Sequence, residues 1–257
     1  MFALLILSLI QGFTEFLPVS SSGHLILIPY LVGWQDQGLD VDVALHAGTL
    51  LAVIIYFWRD IYLMLTSLWR WQLHKERYLA VCLIVATLPA VVVGLIFSSI
   101  TTFRSPLLIS WMAIVFGVLL YAGDWWGNLR GQQRNEVKLR DAIIIGLAQG
   151  LALIPGVSRS GICMTAARFL GIERQMAARF AFLLAIPTIL GAVVLTSYKM
   201  YRNGTPLDLG LLSCGVALSF AFGLLAIHGM LRFLQRFSLL PFAIYRVGLG
   251  LLIMALL

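Results

Sequence analysis

Long apolar runs recur along the whole chain, separated by short polar stretches, and do not form one N-terminal signal-like segment. Crossing a bilayer takes about 20 predominantly apolar residues. Six segments meet or approach that length: about 42–58, 78–97, 107–123, 177–197, 209–229 and 239–257, of which the first is short. Two further apolar pieces, 2–33 and 141–171, do not read as simple crossings, because "LPVSSSG" and "IPGVSRSG" interrupt them midway. Backbone released from a helix at membrane depth survives only where protein buries it or where it lines a polar cavity. Both pieces are therefore predicted to be re-entrant helical hairpins.

Composition sharpens this picture, since 61% hydrophobic and 11% charged residues cannot cover a soluble globule with polar surface. The 257 residues read as a single all-α polytopic membrane domain with no soluble domain left over. Lys and Arg number 18 against 11 Asp and Glu, but most lie in short loops between spans. Topology and anionic headgroups explain them, and nucleic acid is not a predicted partner. Cys82, Cys163 and Cys214 fall in apolar segments without metal-ligand spacing and read as packing residues.

The two hairpins are related to each other. Aligning Gln11 with Gln149, an offset of 138 residues, pairs Gly12 with Gly150, Val19 with Val157, Ser20 with Ser158, Ser22 with Ser160 and Gly23 with Gly161. Each half is then one hairpin plus three crossings, repeat one covering about 1–123 and repeat two about 141–257. An odd number of crossings inverts the second copy. Loops 59–77, 124–140, 168–179 and 230–238 then share one face and carry thirteen of the 18 basic residues. Arg104, Lys199 and Arg202 mark the other face, and Arg159 and Arg246 are internal. By the positive-inside rule the rich face is cytoplasmic, so the first hairpin enters from outside. A cysteine at Gln35 should then be labelled from outside. Trp34, Trp58, Trp69, Trp71, Trp111, Trp125 and Trp126 lie near span ends and read as an interfacial belt.

Two hairpin tips converging from opposite faces present serines and freed N–H groups at helix starts, which attract anions. Arg159 at mid-membrane costs on the order of 3 kcal/mol on insertion scales and calls for a partner or an anionic ligand. Its planar fork suits a phosphate, and an Arg159–Glu15 ion pair is the competing reading. The same alignment sets Glu15 against Leu153, Ser21 against Arg159 and His24 against Ile162. One half thus supplies a candidate acid/base and nucleophile and the other a cation, a division that favours chemistry on an anion. Ser20 and Ser22 read equally as caps of freed backbone. His46 as a cavity residue is the lesser reading, His74 lies in a charged loop, and His228 packs or faces an interface. Arg246 is expected to snorkel toward an interface.

At these residues the chain resembles the undecaprenyl-diphosphate phosphatases, also called the bacitracin-resistance family. A first signature stands as Gln11, Glu15, Pro18, Val19, Ser20, Ser21, Ser22, Gly23 and His24, and a second as Pro155, Gly156, Val157, Ser158, Arg159, Ser160, Gly161 and Ile162. The similarity extends to "RFAFLLAIP" and "LLPFAIYR". Position 11 is Gln where many relatives carry a second Glu, and position 163 is Cys where Thr is expected, although Thr165 lies nearby.

The resemblance implies hydrolysis of a polyprenyl diphosphate lipid in the bacterial cytoplasmic membrane, recycling the carrier for cell-wall synthesis and conferring bacitracin resistance, and the entry of the first hairpin from the face with few positive charges predicts a site open to the outer face. It implies Ser21 as nucleophile and His24 as its base or as acid to the leaving group, a competing version making His24 the nucleophile. Glu15 is implied as orienter of His24 or as ligand to a divalent cation, Mg²⁺ or Ca²⁺, and Arg159 as phosphate clamp. Gln11, Ser20, Ser22, Ser158 and Ser160 would add bonds to the substrate. Gln11 should make the cation bind more weakly than in a two-Glu relative. Membrane lipids are the remaining partners, and the sequence leaves the oligomeric state open, a homodimer included. A polyprenyl-phosphate flippase or secondary transporter is the alternative, because inverted repeats with broken helices are a transporter architecture. The type 2 phosphatidic-acid phosphatases fit less well: their His six residues after the Arg would fall on Thr165, and their K-x6-R-P element is absent.

Overall fold

Proline, glycine and serine mark the two breaks within the hairpins. The computed structural model describes residues 1–34, 38–70, 74–97, 105–204 and 208–257, and these form helices and turns with one isolated bridge, between Arg134 and Ile172. Helices α1 (Phe2–Thr14) and α2 (Ser21–Val32) make the first hairpin. Helix α7 (Leu139–Gly150), a 3-10 turn (Leu151–Leu153) and α8 (Arg159–Phe169) make the second. Pro18 and Pro155 stand in the two breaks, where a residue that cannot donate an N–H and clashes with the preceding turn ends a helix. The arms have 13, 12, 12 and 11 residues. At about 1.5 Å per residue each spans roughly half to two thirds of a hydrocarbon core of about 30 Å. Neither arm of either hairpin is long enough to cross.

The remaining helices are α3 (Leu39–Tyr56), α4 (Trp58–Ser67), α5 (His74–Phe97), α6 (Pro106–Leu129), α9 (Arg174–Arg202), α10 (Leu209–Phe233) and α11 (Leu240–Leu256). Five of them, α3, α5, α6, α9 and α10, are long and apolar enough to cross a membrane. The sixth expected span is α11, which has 17 residues and lies against α6. Proline in the first turn of α6 and of α11 sets φ for helix at the one place where its missing N–H costs nothing. Helix α4 was not expected, since 59–77 reads as a loop. It forms because the chain bends at Phe57 and then continues as a short amphipathic helix, burying Met64 and Ser67 and exposing Trp58, Tyr62 and Leu65.

Helix pairing echoes the sequence repeat. The first arm α1 packs on α10, and its counterpart α7 packs on α5. Both contacts are close: a methyl at Gly12 would run into Phe222 and Gly223, and one at Gly146 into Ala86. Small residues bring helix backbones together where lipid supplies no hydrophobic drive for association. Outward faces are apolar, as with Ile84, Leu88 and Val92 on α5 and Ile244, Leu251 and Leu252 on α11. Trp58, Trp69, Trp111, Trp125 and Trp126 are exposed, while Trp71, Arg104 and Gln35 lie outside the described residues.

The loops expected to share one face do share one end of the molecule. Asp124 accepts from Arg168 Nε at 2.9 Å, from Arg174 Nε at 2.8 Å and Nη2 at 2.9 Å, and from the Leu239 N–H at 3.1 Å. Asp60 pairs with Arg179. Arg134 donates to Asp141 at 2.6 Å and to the Leu170 carbonyl. That hydrogen bond to Asp141 raises the Arg134 guanidinium above its ordinary value. Arg168 belongs to this end but is fully buried, a tie between loops and not a headgroup contact.

Candidate active site

Each hairpin turns on a serine in a backbone conformation that side chains avoid. Ser20 has φ 76° and ψ 94°, and Ser158 has φ 72° and ψ 112°. They are the two non-glycine residues with positive φ among those described, and they are partners in the repeat. Such a residue costs about 1–3 kcal/mol and persists only where its surroundings over-determine it. Each caps the helix it starts: Ser20 Oγ accepts from the Gly23 N–H at 3.4 Å, and Ser158 Oγ from the Gly161 N–H at 3.1 Å.

Arg246 holds both breaks. It is 1% exposed, and its guanidinium donates to Gly156 O at 2.8 Å, Val157 O at 2.9 Å and Pro18 O at 3.3 Å. Further bonds reach Met112 O and Ala113 O on α6. The expected snorkelling is therefore corrected, because a hinge leaves carbonyls that a helix would have satisfied, and a buried fork of N–H donors takes them up.

The tips bring Glu15 to the centre. Its Oε1 accepts from Arg159 Nη2 at 2.6 Å, and its Oε2 accepts from Ser21 Oγ at 2.6 Å and from Gln11 Nε2 at 3.0 Å. His46 Nε2 stands 3.6 Å from Oε2. Arg159 also donates from Nη1 to the Ala181 carbonyl at 3.1 Å. Two of its five N–H groups are used, and the others are available to a ligand. Glu15 and Ser21 from one repeat thus meet Arg159 from the other, and the ion pair read from the sequence is present.

His24 sits elsewhere. Its Nδ1–H donates to the Ser20 carbonyl at 2.7 Å, and its Nε2 is 2.6 Å from the Tyr245 hydroxyl, over whose ring it stacks. With one nitrogen held by a carbonyl, the other accepts the tyrosine proton, and neither meets Ser21 or Glu15. The imidazole beside the carboxylate is that of His46 on α3, anchored by Nδ1–H to Asp42 O at 2.7 Å. No motif surrounds His46, and a polar residue midway along an apolar span was its only signal. Ser160 donates to Leu17 O, tying the second tip to the first break. Thr165 donates to Gly161 O and Cys163 is buried, so neither replaces the missing hydroxyl.

A cavity of about 620 Å³ opens on this centre. Thr14, Glu15, Ser20, Ser21, Ser22, His46, Ser158 and Arg159 form its polar end. Ala90, Val91 and Gly94 of α5, Ala152 and Leu153, and the α9 stretch from Pro187 to Lys199 supply most of the rest. Gln149 lines it too, while Gln11, Ser160 and His24 do not. Since α9 begins at the arginine-rich end, the cavity extends toward the opposite one.

No group of three or more His, Cys, Asp or Glu able to hold a metal ion occurs among the described residues. Glu15 offers one carboxylate, with Oε1 occupied by Arg159 and Oε2 by Ser21 and Gln11. A guanidinium in direct contact opposes a second cation there. This donor set does not fit a resident Mg²⁺ or Ca²⁺.

Comparison with known proteins places the chain among named relatives. The family model described as "Bacitracin resistance protein BacA" matches residues 4–252. A protein of Nitrosococcus oceani named undecaprenyl-diphosphatase is 48% identical over 258 residues, covering 97% of this chain and 96% of that protein. Undecaprenyl-diphosphatase 2 of Stutzerimonas stutzeri is 45% identical over 98% of this chain and 97% of its own length. An undecaprenyl-diphosphatase of Magnetococcus marinus is 45% identical over 97% of this chain and 96% of its own length. With the family model matched over residues 4–252 and relatives 45–48% identical along nearly the whole length, the chain belongs to the bacitracin resistance protein BacA family.

Proposed function

We propose that this membrane enzyme hydrolyses undecaprenyl diphosphate to undecaprenyl phosphate and inorganic phosphate. The observation that carries the reading is the Ser21–Glu15–Arg159 contact, made at the end of a cavity whose other walls are largely apolar. Phosphoryl transfer asks for an in-line nucleophile, a proton acceptor and neutralisation of phosphate oxygens. Ser21 Oγ attacks the terminal phosphorus and gives its proton to Glu15 Oε2. The P–O–P bond breaks with its electron pair on the lipid monophosphate, and Arg159 holds the transferred phosphoryl oxygens with its free N–H groups. Water then attacks the phosphoserine and releases phosphate. His46 Nε2, 3.6 Å from the same Oε2, is the imidazole placed beside the carboxyl as it takes that proton. His24 is a positioning residue: it holds the carbonyl of strained Ser20 and so fixes the turn that presents Ser21.

The site faces the outer side of a bacterial cytoplasmic membrane. In support, the cavity runs along α9 toward Lys199, away from the end where the arginines gather. The two halves are inverted copies, as the matched hinges and the paired packing of α1 on α10 and α7 on α5 suggest. Purified protein in detergent should release phosphate from the C55 diphosphate, and Ser21→Ala should lower that rate about 10³-fold. Lipid movement across vesicles without phosphate release by the wild type would sink the enzyme reading in favour of a flippase.

A further inference from the structure

Gln149 is a buried amide without a partner. It is 3% exposed, and neither its Nε2 nor its Oε1 has a hydrogen-bond partner among the described residues. Its counterpart Gln11 donates to Glu15, but the residue one turn on in the second repeat is Leu153, which offers nothing. Native proteins rarely leave a buried amide unsatisfied at both ends, and one on a cavity wall points to a ligand group.

Its place in the cavity indicates which group. The cavity residues nearest it in the chain are Ala152 and Leu153, and its neighbour Gly150 packs against Val93 of α5, so it stands on the apolar, α5 side of the polar end. Gly94 of α5 and Gly191 of α9 both line the cavity, and a side chain added at either would meet nothing within 4 Å. This is room for a chain. The terminal phosphate carries the most charge and goes to Arg159. The phosphate that stays on the lipid carries a single charge while it bridges to the terminal one, so it needs less compensation, and only after cleavage does it hold a P–OH beside its P–O⁻. A neutral amide serves both states, with Nε2 donating to the ionised oxygen throughout and Oε1 accepting from the product's hydroxyl.

We propose that Gln149 binds the lipid-linked phosphate and holds the prenyl chain along the arm between α5 and α9. This rests on the phosphatase reading above. The test uses purified wild type, Gln149→Met and Gln149→Asn, which respectively removes the amide at similar volume and withdraws it by one methylene. Binding of undecaprenyl phosphate is read as protection against thermal unfolding, and inhibition of turnover by undecaprenyl phosphate and by inorganic phosphate is read separately. Both variants should bind undecaprenyl phosphate about tenfold more weakly and raise KM similarly, the loss for one hydrogen bond to a charged group. Inhibition by inorganic phosphate should not move, and Gln149→Met alone should melt no lower than wild type. Unchanged binding of the lipid phosphate overturns the proposal. So does an equal loss for inorganic phosphate, which would place Gln149 at the transferred group. Lipid-phosphate binding is measured without turnover, so a wild type that releases no phosphate would defeat the phosphatase reading and leave this assignment separately decided.

Discussion

The two hinges share a backbone and differ in what they show the cavity. Ser20 and Ser158 occupy the same unusual φ, cap the same position, and each stands one residue before its helix. From that common frame the first hinge presents Glu15 and Ser21, and the second presents Leu153 and Arg159. Glutamine survives in both, but only in the first does it have a carboxylate to bond. The same backbone geometry occurs twice, and each copy carries the charged group that the other lacks. A symmetric arrangement would have either two carboxylates facing each other or two cations. The asymmetric one pairs a carboxylate with a guanidinium across one hydrogen bond of 2.6 Å.

Erasing the difference should have the largest effect. Glu15→Leu gives the first hinge the residue of the second, and phosphate release should fall about 10³-fold, because Ser21 loses its proton acceptor. Arg159 then keeps only Ala181 O, and breaking a buried pair costs about 3 kcal/mol, which thermal unfolding in detergent should register. Activity within tenfold of wild type would move the base to another group, with His46 first in line.

Arg246 tests what the hinges have in common. Replacing it by Met strands the carbonyls of Pro18, Gly156 and Val157 and removes the extra donor from the helical carbonyls of Met112 and Ala113. Stability should drop by about 3 kcal/mol, and amide exchange should quicken at Gly23 and Gly161 together. Activity should fall about 10²-fold, since a shift of about 1 Å between Ser21 and Arg159 is enough for that. Loosening of one hinge only would show that each is held by its own cap.

The hinges and most of the spans were legible because each is a local signal: apolar length, a proline in a run, a serine before a glycine. The Glu15–Arg159 meeting was legible because a charge at mid-membrane must find a partner. Arg246 was not, since an arginine near aromatics in a last span looks the same whether it snorkels or turns inward. Only the tertiary fold shows the carbonyls of Pro18, Gly156 and Val157, freed by the two breaks, converging on that point. His24 and His46 exchanged places for a similar reason. Proximity to Ser21 in the sequence favoured His24, yet its ring folds back on the Ser20 carbonyl, and a distant helix delivers His46 to Glu15. Helix α4 was missed because ten mixed residues beginning "WRDIY" carry no span-length apolar signal.

The smallest predicted effect concerns the hinge glutamine that does have a partner. In Gln11→Glu the amide N–H that now reaches Glu15 Oε2 at 3.0 Å becomes a carboxylate oxygen facing another. Like charges that close cannot both remain without a shared proton or a cation. A shared proton would occupy the oxygen that takes the proton of Ser21, so turnover without added metal should fall about tenfold, one unit of lost basicity. Added Mg²⁺ or Ca²⁺ should restore it, because two carboxylates and a diphosphate make the oxygen-rich site that one carboxylate clasped by Arg159 does not. The wild type should respond less steeply over the same titration. A Gln11→Glu enzyme with the wild-type cation response would mean that Glu15 faces position 11 too loosely for the pair to share an ion, and the role of Gln11 would reduce to orienting the carboxylate.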